Sequence, residues 1–420
     1  MRRRTLAGFL SVLVLAAAVL GLTLAQAPTT LRFVWFTDGP DLQAIEKLIR
    51  EYNAKNPGTI VELSIVPFAQ LDQLLTAQAA AGRAPDLARV TNPPRFYEHA
   101  LDLRPHLSTP GFAAQFLDEP MKLMTGPAGE IYGVPHDFTL NGPFVNVSLF
   151  RKAGVALPTE ACVSWERWAT LARQVQTATG TPFAMAVDRS GHRLDGFLQT
   201  YGGGFFNADG SLRLNDPRTR QGIETFVRLH HEGVMPLEVW AGGTGGYAAA
   251  NLFFINNQLP FYLSGNWQVA QFHSAIGDRF EWTAVLNGCA GGRYGGMPGG
   301  KFIMAFANTR APAAATRLLE FLASKEAMSQ FARDSSFLPT RKDLIAEGIQ
   351  YPARSEVMNT FLKGITLLPQ AAYTDTYNRF FGPVANEVRD RVTQAILKEI
   401  SVDEAIARAE RKAREITGQR

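Results

Sequence analysis

The chain has 420 residues, with 42 Lys+Arg against 38 Asp+Glu, 46% hydrophobic residues, 10% aromatics and two cysteines. The hydrophobic fraction excludes a disordered or collagen-like chain, two cysteines exclude a disulfide-dense scaffold, and the length calls for two lobes rather than one core. The net charge of +4 includes Arg2, Arg3 and Arg4; without them 39 basic residues face 38 acidic ones, a balance with no electrostatic footprint for nucleic acid.

Met1-Arg2-Arg3-Arg4, followed by an uncharged run from Leu6 to Leu24, reads as an export signal over residues 1–25, and Thr23-Leu24-Ala25 offers small residues for cleavage after Ala25. A retained membrane anchor is the alternative. No cysteine follows the run, so no lipid tether is expected and a periplasmic address is predicted for the exported chain. Nothing later is apolar enough to span a bilayer. Cys162 and Cys289 could pair in an oxidising compartment, but their wide separation and assignment to different lobes predict separate thiols.

Residues 31–36 read as a first strand, after which Leu42, Ile45, Leu48, Ile49 and Tyr52 fall at helical spacing, with Asp41 as cap and Pro57 as stop. Residues 60–66 form a second predicted strand, 71–81 a second helix and 86–90 a third strand. Strand, helix, strand, helix, strand builds a parallel sheet with right-handed crossovers. Ligands bind outside the carboxyl ends of such strands. That rule nominates three loops, at Thr37-Asp38, 68–73 and 91–96.

Farther along, helices predicted over 165–179, 219–232 and 266–276 are separated by Gly-rich turns and mark a second lobe. Residues 302–306 return to strand and 311–324 form an amphipathic helix. The run 384–416 reads as two helices joined at Ser401, where Ser401-x-x-Glu404 matches a capping box. No repeat or low-complexity linker interrupts the chain. Short ordered crossings must therefore join the lobes.

Five segments carry a family resemblance: Tyr52-Asn53-x-x-Asn56-Pro57-Gly58 with Gly82-Arg83-Ala84-Pro85-Asp86-Leu87 behind the opening strand and helix, Gly129-Glu130-Ile131-Tyr132-Gly133-Val134-Pro135 with Asn146 and Leu149-Phe150-Arg151-Lys152-Ala153-Gly154, Leu263-Ser264-Gly265-Asn266-Trp267, Phe321-Leu322-Ala323-Ser324-Lys325-Glu326-Ala327, and Phe337-Leu338-Pro339-Thr340-Arg341. In this order the sequence resembles the extracellular solute-binding proteins of ABC importers, carbohydrate class, similar to maltose-binding protein. The resemblance implies an α/β, two-lobed periplasmic-binding-protein fold with several interlobe crossings, a central ligand cleft, and delivery of the ligand to the permease subunits of the importer. On that pattern residues 26–140 plus 282–335 form one lobe and 141–281 plus 336–420 the other, with crossings near Asn141 and Glu281 and a monomeric chain.

A pyranose offers an apolar C–H face and a rim of hydroxyls, so its site needs flat aromatic platforms and polar groups aimed along the edge. Trp35, Trp240 and Trp267 are the stacking candidates, Trp267 because it holds the family's Gly-x-Trp position. Asp38, Gln70 and Asn92 come from the three nominated loops. Asp137 and Arg341 are implied by the resemblance, as a contact at the first crossing and the end of a Leu-Pro-x-Arg motif. Gly296 and Gly300, within Gly295-Gly296 and Gly299-Gly300, let backbone N–H groups approach a ligand. Trp165, Trp168, Tyr373 and Tyr377 are assigned to packing.

Gly295-x-x-x-x-Gly300-Lys301 imitates a phosphate loop, but Phe302 follows where a hydroxyl is needed. His230 and His231 are adjacent on a helix and point about 100° apart, which makes no metal pair. No nucleophile elbow occurs, so neither catalysis, a metal nor a cofactor is expected. A phosphorylated polyol such as glycerol 3-phosphate is the alternative ligand, with Arg341, His136 or His192 to receive it, and an exported polysaccharide-active enzyme is the more distant reading.

Overall fold

The computed structural model describes residues 27–37, 41–242 and 248–419. The leader expected at 1–25 and Asp38 lie outside the described residues. Strand β1 (Thr29–Trp35) lies between β2 (Thr59–Ile65) and β3 (Leu87–Val90) and is parallel to both. Helices Asp41–Lys55 and Phe68–Ala80 supply the connections. Ala44, Ile45, Leu48, Ile49 and Tyr52, spaced along one face, seat the first of these helices against the sheet.

The strand that organises the molecule is β4 (Gly133–Asn146), with all fourteen residues buried. The later strands are β5 (Met185–Val187), β6 (Phe261–Gly265), β7 (Trp282–Ala284), β8 (Cys289–Ala290), β9 (Arg293–Tyr294), β10 (Pro298–Ala305) and β11 (Leu338–Pro339). Residues 133–140 of β4 pair with β10, which fills the gap between β4 and β3 and runs antiparallel to both. From Asn141 onward the partners change to β6 and β7, with β5 parallel to β6 beyond. One strand thus belongs to two half-sheets, one per lobe.

Three buried asparagines wire the switch. Met297 N donates to Asn141 Oδ1 at 2.6 Å, Asn287 Nδ2 to the Asn141 carbonyl at 2.8 Å, and Leu140 N to Asn266 Oδ1 at 2.9 Å. Gly296, with φ +115°, makes the turn beside them, where a Cβ would stand 2.7 Å from Asn287 Nδ2. It shapes the crossing, and it is not among the residues lining the cleft.

The two cysteines correct their expectation: Cys162 and Cys289 are disulfide-bonded, with Cα atoms 5.0 Å apart. Cys289 N donates to Val163 O, Tyr294 Oη donates to Ala161 O, and Gly288 lies under the Trp165 indole. The β8–β9 hairpin therefore rests on the segment preceding helix Trp165–Thr179, so the bridge stays within one lobe and does not span the cleft.

Helix Trp165–Thr179 has the expected bounds, capped by Ser164 Oγ accepting from Arg167 N. The helix expected from Asn266 instead opens with a 3-10 turn, Asn266–Gln268, and continues as Val269–Ile276. The C-terminal pair is Phe381–Ile396 and Val402–Thr417. Ser401 Oγ accepts from Glu404 N at 3.1 Å, while the Glu404 carboxylate pairs with Arg408, so half of the capping box forms. Among the described residues no helix is long and apolar enough to cross a membrane.

Candidate ligand cleft

Between the half-sheets lies a cavity of about 720 Å³. Trp267, Arg193, His192 and Ser190 face it from one lobe and Thr91, Lys301 and Gly299-Gly300 from the other, with Phe337, Tyr377 and Phe381 closing its sides. Local chemistry explains how the Gly265-Asn266-Trp267 motif reaches this place. A Cβ on Gly265 would stand 2.0 Å from the indole, Asn266 is spent on the β4 switch, and Trp267 is left half-buried in the cleft wall. The Arg193 guanidinium lies 4.3 Å from the centre of the indole ring. Gly299 permits a second close approach, since a Cβ there would meet Thr139 Oγ1 at 2.3 Å.

His192 Nε2–H donates to the Pro298 carbonyl at 2.9 Å. Burial first, then Arg193 and Lys301, push its pKa down to about 3, so the ring is neutral. Its Nδ1 is shielded and accepts from no described group.

Trp267, Asn92 and Gly300 are the expected residues that border this space, Asn92 through a side arm of about 290 Å³. Five others are placed elsewhere. Trp35 is 0% exposed, donates its indole N–H to Asp41 at 2.9 Å and carries the Arg89 guanidinium 4.4 Å from its ring centre, so no face is open. Trp240, 1% exposed, donates to Val187 O and packs on Phe226 and His230. Asp137 is buried and doubly bonded to Arg89 at 2.9 and 3.0 Å. Arg341 pairs with Asp343 at 2.8 Å and donates to Gln115 and Ala323 O. Gln70 is exposed on helix Phe68–Ala80 and borders none of these cavities.

His192, nominated only for a phosphorylated ligand, follows β5, as do the residues missed, Ser190 and Arg193, just as Trp267 follows β6. The carboxyl-end rule applied to the first three strands alone passed over them. Extending it to the short β5 nominates 188–193.

Behind the cleft, helix Gly191–Gln199 meets helix Gln370–Thr376 through two buried carboxyls. Gln199 Nε2 donates to Asp195 Oδ1 at 3.2 Å and Asp375 Oδ2 at 3.0 Å, and Phe205 N and Phe206 N donate to Asp375 at 2.8 and 2.9 Å. Burial pushes Asp375 up to about 6, and burial together with the neighbouring Asp375 raises Asp195 well above the carboxylate range, against a weaker pull from Arg213. Both carboxyls therefore hold a proton more tightly in the folded chain than in the unfolded one. Because both values are raised on folding, the pair stabilises fully below about pH 4 and loses that contribution as pH rises through about 6. The melting temperature is expected to lose this contribution between about pH 4 and 6, and Asp195→Asn to flatten that fall. Thermal melts across this range check it; an unchanged slope in the variant refutes the assignment of the fall to this pair.

Residues 47–358 match the family described as bacterial extracellular solute-binding protein. The lactose-binding protein of Rhizobium radiobacter is 28% identical over 232 residues, covering 52% of this chain and 53% of its own. Among solved structures, the cyclic α-maltosyl-1,6-maltose binding protein of Arthrobacter globiformis superposes with a TM-score of 0.77 at 20% identity, over 93% of this chain and 99% of that one. A maltose-bound protein of T. maritima gives 0.72 at 20% identity over 93% and 99%. These structures share the two-lobed α/β fold with this chain.

Proposed function

Because the chain belongs to the bacterial extracellular solute-binding proteins, we propose that it captures a saccharide between its lobes in the periplasm and hands it to the permease of an ABC importer. What carries the reading is Trp267: a half-buried indole on the cleft wall, beside a guanidinium, two hydroxyls and a neutral imidazole with a spare acceptor. A sugar's C–H face stacks on the ring, displacing the Arg193 guanidinium, which then donates to hydroxyls along the sugar's edge. The saccharide ligands named for similar proteins support a sugar over the phosphorylated polyol, and Arg341, meant to receive a phosphate, is engaged by Asp343.

Binding leaves the ligand chemically unaltered and shifts a monomeric chain toward a closed form that the permease reads. We place the first lobe boundary at Asn141, where the strand partners change, and the return crossing after the β8–β9 hairpin rather than near Glu281, because β7 pairs with residues 144–146 and Cys289 is bonded to Cys162. An affinity of about 8 kcal/mol, roughly micromolar, allows both scavenging and release.

Titration of the wild type with mono-, di- and trisaccharides is expected to give a saturable thermal shift and a change in tryptophan fluorescence. Trp267→Ala is expected to weaken binding at least about tenfold with the fold intact, since an aromatic contact contributes about 0.5–1.5 kcal/mol beyond the area it buries. Undiminished affinity in that variant removes Trp267 from the site.

A further inference from the structure

The cleft carries a positive charge that the rest of the chain does not. Arg193 and Lys301 face the main cavity, and Arg95 and Arg379 border its side arm. Among the described lining residues the one carboxylate is Asp72, which pairs with Arg95 at 2.7 Å. Without Arg2, Arg3 and Arg4 the sequence balances 39 basic against 38 acidic residues, so the excess is local to the cleft. A cleft lined by one sign of charge focuses the field between its low-dielectric walls and gathers the opposite ion.

The carboxylates behind the two cations of the main cavity have other work. Asp188, 3.8 Å from Arg193 Nε, accepts from Tyr262 Oη at 2.5 Å, Ser264 Oγ at 2.7 Å and Ala250 N at 3.0 Å. Asp137, the carboxylate that Lys301 helps to hold ionised, is doubly bonded to Arg89. The Arg193 side chain is only 14% exposed, so its charge is already partly withdrawn from water.

The two cations belong to opposite lobes, Arg193 following β5 and Lys301 lying on β10, yet both act on the same His192 ring. Closure of the lobes brings these like charges together and out of water, which opposes closing around a neutral molecule and favours closing around an anion. Hydrogen-bond supply points the same way. A guanidinium and an ammonium only donate, as do the hydrogens of sugar hydroxyls, whereas a carboxylate on the ligand only accepts.

We infer that the captured saccharide is an acidic one, a sugar bearing a carboxylate such as a hexuronate, with its ring face on Trp267 and its carboxylate between Arg193 of one lobe and Lys301 of the other. This rests on the saccharide reading above and specifies the ligand's charge.

The probes are matched pairs that differ only at C6, glucose with glucuronate and galactose with galacturonate, as mono-, di- and trisaccharides, titrated into the full mature chain by calorimetry. In the wild type at low salt the acidic member of the preferred pair is expected to bind at least about tenfold more tightly. That preference should shrink between about 0.01 M and 1 M salt, as the Debye length falls from about 30 to 3 Å. Arg193→Gln and Lys301→Gln are each expected to bring the ratio of acidic to neutral affinity down to about twofold or less. Thr91→Asp, which sets a carboxylate in the same cavity, should reverse the preference. A purely structural loss weakens both members of a pair alike and leaves the ratio in place. Equal affinity within every pair, or an acidic preference that survives both glutamine variants and high salt, overturns the inference and leaves saccharide capture standing. If neither member of any pair binds, the capture reading falls and this inference with it.

Discussion

Arg89→Ala is expected to lower the unfolding free energy by about 3–5 kcal/mol, the cost of leaving a buried charge pair half-made. Arg89 is wholly buried, and its guanidinium donates to Asp41 Oδ2 at 3.0 Å, Asp137 Oδ2 at 2.9 Å and the Phe36 carbonyl at 2.8 Å. Trp35 and Phe36 pack against it, with ring centres 4.4 and 4.6 Å away. Burial alone would raise the Asp137 carboxyl, but Arg89, the His136 hydrogen bond and Lys301 outweigh it and hold the value at about 2. With its folded value depressed, Asp137 stabilises above about pH 4, and that contribution disappears as pH falls through about 2. Remove the cation and two carboxylates lose their partner inside the first lobe. Since a domain is stable by only about 5–15 kcal/mol, the variant should express poorly and unfold at markedly lower denaturant. Arg89→Met combined with Asp41→Asn and Asp137→Asn should recover part of the loss, because the cost lies in the unpaired charges. A single-variant loss below about 1 kcal/mol would show that the cluster is solvated.

Reducing the disulfide is the second large effect. Cys162 and Cys289 are 127 residues apart, and closing a loop of that length removes about 5 kcal/mol of chain entropy from the unfolded state. The double Cys162→Ser, Cys289→Ser variant should therefore melt well below the oxidised protein, and dithiothreitol should lower the wild type to the same point. Because both cysteines sit in one lobe, ligand affinity at low temperature should change less than twofold. A large affinity loss with unaltered melting would mean that the bridge acts across the cleft after all.

The elements most legible in the sequence are those whose signal is local. The parallel trio β1, β2 and β3, helix Trp165–Thr179 and the Ser401 cap follow from alternation, 3.6-residue spacing and one hydroxyl. Trp267 was legible because a glycine two residues before it makes room for its ring. Trp35 and Trp240 were not, since a tryptophan at the end of a strand or beside a glycine-rich stretch reads the same whether it turns inward or outward. Asp137 shows the harder limit. A carboxylate at a crossing suits a ligand as well as it suits Arg89, and only folding brings Arg89 to it across 48 residues. The disulfide was misjudged for the same reason: sequence distance does not reveal that the β8–β9 hairpin folds back onto Val163.

The position of β10 bears on how the polypeptide comes to be made. Its residues 298–305 fill the gap between β3 and β4, so the first half-sheet has no middle until more than two-thirds of the chain has left the ribosome. Pairings between such distant segments form slowly. A nascent chain of this design therefore remains pliable while most of it is synthesised, the condition in which a polypeptide can be threaded through a narrow translocation channel before it sets.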